Sequence, residues 1–69
     1  MRSDAEGLWR VVYVSHSMRE LEMVERMLAD EGFLVRRRGL EHTVSGVYEL
    51  CALDAEAREA RQFISEKGF

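Results

Sequence analysis

Leu28-Ala29-Asp30-Glu31-Gly32-Phe33 decides the architecture of this chain, and it has a near copy in Ile64-Ser65-Glu66-Lys67-Gly68-Phe69. Each stretch puts a glycine just past an amphipathic run, where a helix ends in the left-handed conformation. Each then sets a phenylalanine five positions beyond an aliphatic residue, so that the ring folds back on the helix it has just left. After the first copy the chain becomes strand-like; after the second, the sequence stops where a further strand would begin.

Working back from Gly32, Leu21, Val24, Met27 and Leu28 recur at helical spacing, with Met18 one turn earlier. Met23 falls off that stripe. Ser17-Met18-Arg19-Glu20 has the form of a capping box, in which the serine oxygen and the glutamate each satisfy an orphan backbone donor. Before it, Trp9 to Ser15 is rich in β-branched and aromatic residues and reads as a first strand. Working forward, Phe33-Leu34-Val35 opens a second strand that turns basic at Arg36-Arg37-Arg38. Gly39 to Gly46 is a polar connection. Val47 to Leu53 alternates as a third strand, and Asp54 is placed to cap a second helix over 55–67, with Ala57, Ala60, Phe63 and Ile64 as its apolar stripe. The order is β-α-β-β-α, an α+β fold.

The length of 69 residues allows one domain, read as 9–69 behind a fraying polar arm over 1–8. So short a chain buries only about 60% of its unfolded surface, and a partner subunit would add to a thin core. With 46% apolar and 33% charged residues, the composition is that of a globular domain. The longest apolar runs, Val11–Val14 and Leu50–Leu53, are four residues each, far short of a membrane span. The absence of a leader-like apolar stretch and the single cysteine, Cys51, make the cytoplasm the expected compartment. A net charge of −3 argues against nucleic acid, because phosphate neutralisation needs a basic face.

A crossover from the first strand through the helix to the second, with the third returning between them, gives a sheet of order 1-3-2 with both helices on one face. This is the ferredoxin-like split unit without its last strand. The edge of the first strand and one sheet face are left open; alternation groups Trp9, Val11, Tyr13, Val35, Arg37, Glu49 and Cys51 on the face expected to be open, without deciding between the two faces. Bare apolar faces and edges are managed by association, so a homodimer or larger oligomer, or a protein partner, is expected there.

Trp9-Arg10-Val11-Val12-Tyr13-Val14, Leu28 through Val35, Glu49-Leu50 and Glu56 through Glu59-Ala60 resemble the prokaryotic signal-transducing protein family of small bacterial domains. The resemblance runs from Trp9 to Ile64. It implies a fold related to the PII signalling proteins and a regulatory role without an established reaction. Some similar short chains carry the label glutamate decarboxylase, but a pyridoxal phosphate enzyme needs a Schiff-base lysine in an enclosed pocket. The only lysine here is Lys67, next to the C-terminal glycine.

The topology also gathers polar residues at one end of the sheet. Ser15, His16 and Ser17 at the helix start, Arg36 and Arg38 on the second strand, and His42 and Thr43 on the connection would hold a small anionic metabolite or nucleotide. His16, His42 and Glu41 lack the spacing of a zinc motif, and no metal or other cofactor is expected. Cys51, mid-strand and distant from either histidine, lacks the base that a nucleophile needs. The residues favour a binding module over an enzyme, with an anion sensor as the alternative.

Overall fold

The computed structural model describes residues 8–39 and 46–69. Most of the N-terminal arm, together with Glu41, His42 and Thr43, lies outside them. The described elements are β1 (Trp9–Ser15), α1 (Met18–Asp30), β2 (Val35–Gly39), β3 (Tyr48–Leu53), a 3-10 turn (Asp54–Glu56) and α2 (Ala57–Glu66). β3 is central and antiparallel to both neighbours, so the sheet has the expected order β1-β3-β2.

Both helices close with the glycine ending expected of them. Gly32 at φ +102° donates to the Ala29 carbonyl at 3.0 Å, and the Phe33 amide reaches back to Leu28 at 3.0 Å. Gly68 at φ +91° repeats this with Ser65, and Phe69 with Ile64. This paired bonding satisfies carbonyls that the last helical turn leaves without partners. A Cβ at Gly32 would meet nothing within 4 Å, so the backbone angle alone sets its cost. Gly32→Ala is therefore expected to lower stability by about 1–2 kcal/mol, read from a urea denaturation curve. An unchanged midpoint would refute the left-handed ending.

Ser17 caps α1 as expected, accepting the Glu20 amide at 3.1 Å. The reciprocal half of the box differs. The Ser17 amide donates to Ser15 Oγ at 3.0 Å, and that hydroxyl donates to Glu20 Oε1 at 2.7 Å. Ser15 thus stands between the cap residue and the glutamate that was to reach it directly. The second helix also starts differently. Asp54 opens the 3-10 turn and pairs with Arg10, and α2 has no side-chain cap.

The core is one cluster of Leu21, Val24 and Leu28 from α1, Leu50 and Ala52 from β3, and Ala60 and Ile64 from α2. Leu50 and Ala52 point to the same side of β3 and meet both helices, which places the helices on one face of the sheet. Met18 and Met27 pack against this cluster, while Met23 is 55% exposed.

The alternation in β1 breaks. Val11 pairs with Cys51 but Tyr13 pairs with Leu50, so Val12 is the extra residue of a β-bulge. Val12 and Tyr13 both pack toward the helices. From there the strand runs in the opposite phase: Ser15, opposite Tyr48, is buried, and Val14, opposite Glu49, is 50% exposed. A one-residue slip exchanges the two faces of a strand, and here it happens inside one.

Candidate functional site

Residues paired across a sheet share a face, so the register assigns the side that no helix covers. Trp9, Val11 and Val14 come from β1, Glu49, Cys51 and Leu53 from β3, and Arg36 and Arg38 from β2. Three residues expected here lie on the helix side instead. Tyr13 is carried there by the bulge. Val35 pairs with Ala52, and Arg37 with Leu50, both core residues. Arg37 confirms the assignment through its partners on α1: Glu25 at 2.9 Å, Glu22 at 3.6 Å and Met18 Sδ at 3.6 Å. Val14, Arg36, Arg38 and Leu53 take their place on the open face. Within β2 as the structure bounds it, Val35 is the lone apolar residue, so it belongs on the core and Arg37 two positions on follows it; with the strand opened at Phe33-Leu34-Val35, as the sequence suggests, apolar residues fall on both faces and that signal is lost.

The open face is apolar along β1 and basic along β2. The Arg36 guanidinium lies 5.6 Å from the Trp9 ring centre, a cation–π contact reaching over the central strand. Arg38 pairs with Glu49 at 2.9 Å. Beneath them Cys51 is only 2% exposed, because a central-strand residue has neighbours on both sides, here Val11 and Arg36.

Burial pushes the Cys51 thiol above its ordinary 9.0, with Glu49 adding to the shift and Arg38 and Arg36 opposing it. Tyr13 behind the sheet is likewise raised above 10.0 by burial, and then by the Glu20 carboxylate that its hydroxyl faces. Both groups are neutral when protonated, and folding raises both pKa values. Their contribution to stability is complete below the ordinary values and is lost as pH rises through the folded ones. Stability is expected to hold up to about pH 9 and to fall above it, with Cys51→Ala removing the earlier part of the fall. A flat thermal midpoint through the alkaline range would contradict this. A buried, protonated thiol is a poor nucleophile.

The residues of the expected anion site are only partly brought together. Ser15 and Ser17 do meet at the start of α1, and the sheet register places Gly39 of β2 and Tyr48 of β3 at the same end. Two of their donors, the Ser15 hydroxyl and the Ser17 amide, are already engaged. Ser15 Oγ and the Ser17 amide are linked to Glu20, whose carboxylate occupies the positive end of the helix. His16 is exposed. Arg36 is held at the opposite end of β1, over Trp9, and Arg38 is held by Glu49. His42 and Thr43 lie outside the described residues. Among the described residues no group of three or more histidine, cysteine or acidic side chains is arranged for a metal ion, and no helix is long and apolar enough to cross a membrane.

Compared with known proteins, the chain matches no family model, no curated protein and no solved structure.

Proposed function

We propose that this chain is a small bacterial signalling or regulatory module of the ferredoxin-like, PII-related plan. It works by associating with a second copy of itself or with a protein partner through the helix-free sheet face. The observation that carries this reading is Val14, 50% exposed next to Trp9 and Val11 on a face that neither helix covers. An apolar column bordered by charged residues is the composition of an association surface. The resemblance of Trp9–Ile64 to the small signal-transducing domains supports the same class.

The test is sedimentation velocity on the purified chain at micromolar concentrations. A dimer or larger species is expected, and Val14→Lys should return it to a monomer with unchanged circular dichroism. A concentration-independent monomer in the parent chain would remove self-association from the proposal. A Val14→Lys dimer of undiminished strength would move the contact off this face.

A further inference from the structure

The two edges of the sheet are not equivalent. On β1 the bulge disturbs the strand, and the Arg61 guanidinium reaches over from α2 to bond the Val11 carbonyl at 3.0 Å. Bulges and side-chain cover of this kind protect an edge from pairing. The outer side of β2 carries no neighbouring strand among the described residues. Alongside it, between β2 and α1, runs a groove of about 650 Å³. Its apolar lining is Ala29, Phe33, Leu34 and Val35, with Leu34 56% exposed, and Arg37 and Glu25 stand at its rim.

We propose that this edge and groove receive an extended segment of another protein in which acidic and apolar residues alternate, added as a fourth strand beside β2. Strand addition satisfies the backbone groups of an edge and sends alternate side chains to opposite faces. On the helix side, the apolar residues of the segment enter the groove against Leu34 and Val35. On the other side, its carboxylates come alongside Arg36 and Arg38. Among the described residues Arg36 has no carboxylate partner; its guanidinium rests on Trp9 across the central strand and turns back over β2 to meet the segment. An arginine stacked on an aromatic ring keeps the in-plane N–H fork that binds a carboxylate.

Charge selects the occupant. A second copy of β2 in this position would bring Arg36, whose charge no carboxylate offsets among the described residues, beside the arginines of an identical strand, and like charges placed opposite one another are destabilising. An acidic strand turns that repulsion into attraction. The same arginines therefore reject self-pairing and admit a partner of opposite sign. The β2 edge lies two strands from the Val14 column, but Arg36 and Arg38 share the helix-free face with Val14, so a dimer through that face and the added segment compete for it.

The probe is a short capped peptide alternating glutamate and valine, titrated into isotope-labelled chain and followed by NMR, with a lysine-for-glutamate peptide as control. Saturable shifts and cross-strand contacts from the acidic peptide to Val35–Arg38 are expected, with none from the lysine peptide. Arg36→Gln, which removes the charge without reversing it, should weaken binding about three- to fivefold. Arg36→Glu should weaken it further and bind the lysine peptide instead, its circular dichroism reporting that the fold is intact. Absence of saturable shifts, contacts to β1 in place of β2, or equal binding of both peptides would overturn the proposal. Sedimentation of the chain without peptide reports the Val14 face separately, so peptide binding by a monomer upholds the β2 proposal while removing self-association.

Discussion

Leu50→Ala is expected to destabilise the domain by about 2–5 kcal/mol, read as a fall in the urea midpoint at constant slope. Leu50 has no exposed surface and sits in the middle of the central strand. Leu21, Val24 and Leu28 of α1 and Ala60 and Ile64 of α2 form one cluster with it. Truncation loses the transfer free energy of the side chain and leaves a void that two helices and two flanking strands hold open. A domain of 69 residues has about 3–10 kcal/mol of total stability, so this one substitution brings it close to unfolding. Met23→Ala is the control. Its side chain is 55% exposed and its replacement should cost less than about 0.5 kcal/mol. If the two variants unfolded at the same urea concentration, the placement of the core would be wrong.

Ser15→Ala has the second largest expected effect, about 1–3 kcal/mol, although it removes a single oxygen. That oxygen is 2.7 Å from Glu20 Oε1 and accepts the Ser17 amide at 3.0 Å, in a residue that is 7% exposed. Alanine leaves a backbone donor without its partner at the start of α1 and deprives the carboxylate of a hydrogen bond. The damage comes from the unpaired groups more than from the bond itself. A double-mutant cycle with Glu20→Gln checks the bridge, with a coupling of about 0.5–3 kcal/mol expected. Additive effects would show that Ser15 and Glu20 act separately. The same link places the chain's own carboxylate at the start of α1.

Much of the architecture follows from short-range chemistry. Strand β1 spans Trp9–Ser15 and Ser17 caps α1, as the residue pattern predicts. The glycine endings at Gly32 and Gly68 require only a left-handed backbone and a phenylalanine at the right distance. The sheet order follows from the element order together with the handedness of crossover connections. The second helix is less legible. Its start depends on Asp54, whose carboxylate is drawn to Arg10 on the neighbouring strand instead of capping the turn that follows. The competing partner is 44 residues away in the chain, beyond the reach of any local pattern.

The candidate surface was less legible still. Trp9, Val11, Glu49 and Cys51 lie on the helix-free face as alternation predicts, whereas Tyr13, Val35 and Arg37 do not. For Tyr13 the cause is the bulge at Val12, which inverts the strand from that point. The stretch Val11-Val12-Tyr13-Val14 is apolar at every position, so neither phase is favoured by its residues alone. Packing decides: with the inversion, Tyr13 and Ser15 both face Glu20, and Val14 is turned outward.

By itself, then, the sequence determined where each helix ends, what caps the first one, and the order in which three strands assemble. Those outcomes depend on backbone angles and hydrogen bonds among residues a few positions apart. Only the tertiary structure decided which side of the sheet each side chain occupies beyond Val11, which arginine meets a carboxylate and which meets Trp9, and which edge is left to pair. Register depends on packing and on partners far away in the chain, and a single extra residue in a strand is enough to exchange its faces.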